Sequence, residues 1–272
     1  MNTTKNKKLG IFLMGGTKDS INIIKFLKEE FDRPYILATT TTKWGGELAK
    51  DAGSDEIISK PLAIENIVSI LKEKKFDVLI DSTHPFAVNA TKSAIKSSQI
   101  ANVPYIRFER PSLQLKKINR KNVYHVKSFE DAGKLIANNW KDENVLHLAG
   151  VNTIEDVLKS VAKENFYVRV LPVESSIEKC RKLGINGEHI IAMQGIFSKE
   201  FNKSLMREFN TKIMITKESG TSGGVPAKLS AANELEITVI LVDRPELAIL
   251  KEKCVVNTLN QLKTKLKHIE HV

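Results

Sequence analysis

The stretch KLGIFLMGGTKDSINIIKFLKEEF, residues 8–31, decides the fold. KLGIFLM is a short, continuous apolar run, as expected of a strand buried on both faces. A Gly15-Gly16 turn follows, and apolar residues then return at helical spacing as Ile21, Ile24, Phe26 and Leu27. Strand, glycine turn and helix make the opening of a βαβ unit. At such a turn glycine lets the backbone approach a ligand closely, and the helix N-terminus offers N–H groups to phosphate oxygens. Gly15 and Gly16 are therefore candidate cofactor ligands. Gly-Gly-Thr is less than the full G-x-G-x-x-G pattern, and a tight turn without a ligand uses the same glycines.

Outward from this unit the alternation continues. PYILATT, EIIS, FDVLIDST and VPYIRFERP read as strands, separated by helical stretches such as IENIVSILKEKK. After Pro111 the polar, unpatterned SLQLKKINRKN (112–122) reads as a linker, and the alternation then restarts at VYHV and runs to a terminal helix in VVNTLNQLKTKLKHIEHV. The expected fold is α/β, with two doubly wound parallel-sheet domains, residues 1–112 and 113–272, and a cleft between them. Neither a fixed-period repeat nor a low-complexity tract interrupts this pattern.

Among 272 residues there are 42 basic and 32 acidic side chains, a net charge of +10. The excess is mostly scattered lysine, which suits a solvated surface or a polyanionic small substrate. Aromatics make up only 6%, and no basic stripe interleaved with them suggests nucleic acid. No apolar run approaches the roughly 18 residues of a membrane span. The N-terminal apolar stretch is short, runs straight into Gly15-Gly16 and lacks a cleavage site, so a first strand in a cytoplasmic protein is expected. Cys180 and Cys254 stand far apart without metal-ligand spacing; buried free thiols and no metal site are expected.

Three further segments carry chemistry. The second strand ends in ATTTTKW (38–44), with no acid before Glu47. An acid at this place bonds the ribose 2′-hydroxyl of NAD, whereas four threonines and Lys43 suit a 2′-phosphate, so a dinucleotide bound here is expected to be NADPH; a threonine-rich loop of no special use is the alternative. IDSTHPFA (80–87) ends another strand, at the edge where open α/β sheets bind ligands; Asp81 there could handle a proton, or could simply cap the next helix. TKESGTSGGVPAKLSAANEL (216–235) places Lys217 before a glycine-rich loop and a helix, a second backbone cradle for negative oxygens, or else a solvent-facing turn.

Taken together, GGTKDS, DSTHPFA, RFERP, VRVLP and the 216–245 segment resemble, in order and spacing over about residues 9–245, the precorrin-6A reductase family of cobalamin biosynthesis, including its cobalt-precorrin-6A branch. The resemblance implies an NADPH-dependent reductase with two Rossmann-like domains, acting on a carboxylate-rich macrocyclic tetrapyrrole. It implies Gly15, Gly16 and Thr17 at the cofactor phosphates, Thr39, Thr40 and Lys43 at its 2′-phosphate end, and Asp81 and Lys217 as proton-handling residues. It puts Thr83, His84, Arg107, Arg110, Ser219, Gly220, Gly223 and Lys228 at the substrate, and transient contact with neighbouring enzymes of the pathway is expected. The sequence departs from relatives at Ser82, at Lys60-Pro61 and at Ile196. One alternative is an NADP(H)-binding regulatory module without tetrapyrrole chemistry. A small-alcohol dehydrogenase is disfavoured, because none of Tyr35, Tyr105, Tyr124 and Tyr167 has a lysine four residues on.

Overall fold

The computed structural model describes residues 8–112 and 122–270. They fall into two compact units, Met1–Pro111 with Pro245–Val272, and Ser112–Arg244.

The first unit opens as its sequence dictates. Strand β1 (Gly10–Met14) is buried throughout, and its side chains alternate between two apolar clusters. Ile11 and Leu13 pack with Ile23, Ile24 and Leu27 of helix α1 (Lys18–Glu30), while Phe12 and Met14 pack with Ile67 and Leu71 of α3 (Ile64–Glu73) and Ala94 of α4 (Val88–Ala101). Helices on both faces explain why the strand is apolar at every position rather than at alternate ones. With β2 (Tyr35–Thr40), β3 (Glu56–Ser59), β4 (Val78–Asp81), β5 (Tyr105–Phe108) and β12 (Cys254–Val256), it forms a parallel sheet in the order β3-β2-β1-β4-β5-β12. The direction of winding reverses between β1 and β4. At such a switch point the connecting loops part and leave a crevice at the carboxyl ends of the strands.

The second unit repeats the plan. Its strands are β6 (Val123–Val126), β7 (Val145–His147), β8 (Phe166–Val170), β9 (Ile190–Ala192), β10 (Ile213–Lys217) and β11 (Thr238–Val242), in the order β9-β8-β7-β10-β11-β6, all parallel. Helices α5 (Phe129–Asn139), α6 (Ile154–Leu158), α7 (Glu174–Lys182), α8 (Lys199–Glu208) and α9 (Val225–Glu234) connect them. The reversal lies between β7 and β10.

Two details differ from the sequence reading. Residues after 244 were expected in the second domain, but β12 pairs with β5 (Val256 opposite Phe108), and Leu262 and Leu266 of α10 (Leu259–Glu270) are fully buried in the β1 cluster. Spacing shows that α10 is an amphipathic helix but not which sheet its apolar stripe covers. Helix α2 (Lys43–Asp51), for which the sequence predicts GGELAKDAG (45–53), starts earlier, because Thr42 Oγ1 accepts from Gly45 N at 3.1 Å and caps it. The expected linker lies, for residues 113–121, outside the described residues. Both cysteines are free thiols, and no helix among the described residues is long and apolar enough to cross a membrane.

Candidate active site

At the switch point of the first unit, the loops after β1 and β4 are tied together. Ser82 donates from N and from Oγ to Met14 O, both at 2.9 Å, and Thr17 Oγ1 donates to Ser82 O at 3.1 Å. Gly15 N donates to Thr39 O at 2.9 Å, and a Cβ on Gly15 would come within 2.8 Å of Ser20. Gly16 has φ +97°, with nothing within 4 Å of where its Cβ would be. Its glycine is required by conformation, and the space beside it is open. Thr17 caps α1 through a reciprocal box with Ser20, whose Oγ accepts from the N–H groups of Gly16 and Thr17 at 3.2 Å. Those are long neutral bonds, which an anionic oxygen can replace with shorter, charge-assisted ones. The loop fits a pyrophosphate.

At the end of β2 the three residues expected at a 2′-phosphate separate. Thr39 and Thr40 are buried, and Thr40 Oγ1 is committed to Thr42 O at 2.9 Å. Lys43 is exposed as the first residue of α2, so a cation and a helix N-terminus stand together at this strand end.

Asp81, expected to handle a proton, is held by internal partners. Its side chain is 0% exposed. Its Oδ1 accepts from Arg107 Nη1 at 2.8 Å, Thr83 N at 3.0 Å and Thr83 Oγ1 at 2.7 Å, and its Oδ2 accepts from Tyr105 Oη at 2.9 Å. Arg107, 1% exposed, also reaches Glu109 at 3.1 Å. Arg107 and Thr83, expected at the substrate, are thus spent on this internal anion. Burial first, then the Asp81 charge, push the Tyr105 hydroxyl far above its ordinary range. The group is a charged strut under the loop of residues 82–86. On that loop His84 is half-buried, and its Nδ1 accepts from Phe86 N at 3.2 Å. Arg110 pairs with Asp19 in the first turn of α1 at 3.2 Å, which sets it beside the Gly15-Gly16-Thr17 loop.

In the second unit Lys217 ends β10 at the switch point, as Asp81 ends β4 in the first. Lys217 is half-buried, and burial lowers its amine to about 8. Next to it, Glu218 is ion-paired with Arg244, whose Nε also donates to Glu218 O at 3.3 Å. Ser219 is buried and its N donates to Lys217 O at 2.8 Å. Any Cβ on Gly223 would overlap Ser219 Oγ, and Gly220 and Gly224 hold φ of +73° and +68°. The glycines are therefore what lets this loop fold tightly onto the N-terminus of α9. Lys228, in the first turns of α9, is 6% exposed, and burial followed by the charges of Arg169 and Lys217 lowers it to about 7. His147 at the end of β7 is fully buried and held neutral, pushed down to about 3 mainly by burial, with Nε2 2.8 Å from Thr153 Oγ1.

The sequence assigned no site role to Arg169, Tyr105 or His147. The available signal was a polar residue inside an otherwise apolar strand whose two faces are both covered by helices.

The model of the family described as precorrin-6x reductase CbiJ/CobK matches residues 10–267. The cobalt-precorrin-6A reductase of Methanothermobacter thermautotrophicus is 41% identical over 95% of this chain and 83% of its own. That of Methanocaldococcus jannaschii is 41% identical over 88% and 92%, and that of Methanococcus maripaludis 38% identical over 94% and 99%. A solved CobK precorrin-6A reductase superposes with a TM-score of 0.74 over 96% of this chain and 97% of its own, at 20% identity, and so shares the fold. With the match running from β1 into the terminal helix, the chain belongs to the precorrin-6x reductase CbiJ/CobK family.

Proposed function

We propose that the protein is a cytoplasmic, NADPH-dependent cobalt-precorrin-6A reductase of cobalamin biosynthesis. The observation that carries the reading is full-length similarity, at 38–41% identity, to relatives of that name. The Gly15-Gly16-Thr17 loop at a topological switch point supports a dinucleotide there. An acid-free β2 end with Lys43 at the start of α2 favours the phosphorylated cofactor over NADH. In this reading Gly15, Gly16 and Thr17 hold the pyrophosphate, with Arg110 adding positive charge beside it. Lys43 holds the 2′-phosphate. A bound NADPH supplies the hydride.

Lys217 is the proton-handling group. An amine lowered to about 8 by burial can give up its proton near neutral pH far more readily than an exposed lysine. Its Nζ delivers that proton to the reduced double bond, and the loop of residues 219–224 with the N-terminus of α9 attracts the substrate's carboxylates. Asp81 is a positioning residue. With Arg107 and Tyr105 it fixes the 82–86 loop, and through Ser82 the loop after β1.

Purified protein mixed with NADPH and cobalt-precorrin-6A should lose the substrate's absorption band as NADPH is consumed. NADPH binding with no consumption of either compound retires the reading in favour of a regulatory module.

A further inference from the structure

Half-buried Arg169 and buried Lys228 form a pair of cations that no acid among the described residues balances. Arg169 lies on β8 among alternating side chains: Phe166, Val168 and Val170 are buried, while Tyr167 and Arg169 occupy the other face. The Arg169 guanidinium lies 4.8 Å from the centre of the Phe197 ring, and Asn202 Oδ1 is 3.5 Å from its Nη1. Asn202 is itself 1% exposed and pinned, its Nδ2 donating to Phe197 O at 3.2 Å and Ser198 O at 2.7 Å. A fixed amide and a ring face orient the guanidinium but leave most of its five donors uncommitted.

Lys228 comes from α9. Helical side chains lean toward the helix N-terminus, which directs this one back to the 219–224 loop. Among the described residues no hydrogen bond or ion pair reaches its amine, and the charges that act on it, Arg169 and Lys217, are both positive. Glu218, the acid beside Lys217, is held by Arg244, and Glu234 at the end of α9 is held by Lys199 and Lys203.

Burying like charges together without an anion costs stability, and a structural role would bring a carboxylate with it, as Asp81 serves Arg107. We propose that Arg169 and Lys228, with the N-terminus of α9, form a subsite that binds one carboxylate arm of the substrate. Only the identity of the ligand rests on the reductase reading. A carboxylate on a hydrocarbon arm suits the site better than a hydrated phosphate, because its neighbours Phe197 and Ile196 are apolar, and Ile196 packs to 3.3 Å from where a Cβ of Gly224 would stand. Burial has lowered Arg169 to about 10 and Lys228 to about 7, so anion binding also draws in protons near neutrality.

The test uses the full chain without NADPH or cobalt-precorrin, so it is independent of turnover. Binding of an octacarboxylic porphyrin is followed by fluorescence quenching, and thermal stability is measured in citrate, inorganic phosphate and chloride at matched ionic strength. Arg169→Met and Lys228→Met are compared with wild type. The porphyrin should bind wild type and bind each variant about tenfold more weakly, the loss of about one charge-assisted contact. Citrate should stabilise wild type more than phosphate does, and stabilise the variants little. Lys228→Met should itself melt higher than wild type in chloride, which a lysine with a structural partner would not do. Unchanged porphyrin binding in both variants, no binding by wild type, or a preference for phosphate overturns the subsite. Intact porphyrin binding in a protein that fails to turn over retires the reductase reading alone.

Discussion

Asp81→Asn keeps the shape of the side chain and removes its charge, and its surroundings set what that costs. The carboxylate accepts four hydrogen bonds at 2.7–3.0 Å, three at Oδ1 and one from Tyr105 at Oδ2. An amide can accept at one of these positions only, and turns N–H groups toward donors at the other. Arg107 would keep Glu109, at 3.1 Å, as its remaining anion. Breaking a buried ion pair from one side costs about 3–5 kcal/mol, and the retained Glu109 puts this variant near the lower end, ~3 kcal/mol. For a unit of this size each kcal/mol is worth about 2–4 °C, so unfolding of the first unit should shift down by about 6–12 °C. Differential scanning calorimetry reads that shift. Below the transition, kcat with cobalt-precorrin-6A and NADPH should stay within about threefold of wild type, a change of about 0.7 kcal/mol in the barrier. An unmoved transition, with kcat down by about tenfold or more, would refute the strut and return Asp81 to the chemistry.

Lys43→Glu should cost NADPH about 1–3 kcal/mol relative to NADH, the worth of one charged contact, and titration of both cofactors measures it. Equal affinities in the unaltered protein would sink the 2′-phosphate assignment. With Lys217 as proton donor, kcat should fall as pH rises through about 8, where the ammonium is lost. Lys217→Met should lower kcat by about 10²-fold or more and erase that limb, and a flat profile in wild type counts against the role. Lys228 titrates at about 7 in the fold against 10.5 ordinarily, so between these values the unfolded chain binds the extra proton and wild-type stability rises with pH. The penalty is therefore largest below about 7 and gone above about 10.5, and Lys228→Met should gain most stability at the acid end in urea titrations. A gain independent of pH would mean that Lys228 is not a buried cation.

The architecture was legible because each βα unit carries its own local signals: an apolar run, a turn, then apolar residues at helical spacing. The candidate loops were legible too, since Gly15-Gly16 and the 219–224 glycines mark places where side chains would obstruct the backbone. Partnership was not legible. Asp81 stands at a ligand-binding edge in the sequence, yet its neighbours Tyr105 and Arg107 come from β5, and only the register of β4 against β5 (Asp81 opposite Arg107) brings a guanidinium to its carboxylate. Arg169 was hidden for the opposite reason. FYVRV reads as an ordinary strand, and the lack of an acid near the guanidinium is a property of Phe197 and Asn202, which sit on other elements. The terminal helix showed its leucine stripe, but Leu262 and Leu266 could be assigned to the β1 core only from three dimensions.

The return of β12 to the first sheet has a consequence for how the chain can be made. During synthesis every other strand of that sheet has left the ribosome by the time β5 emerges, but the strand that covers β5 comes only after the whole second unit. Until then β5 is an open edge with unpaired N–H and C=O groups, a template for pairing with another nascent chain. The second sheet has the reverse schedule, since β6 appears first and waits for β11. The first unit is therefore not contained in the N-terminal part of the chain: a cut after Arg244 preserves the residues proposed to bind cofactor and leaves their sheet without its border.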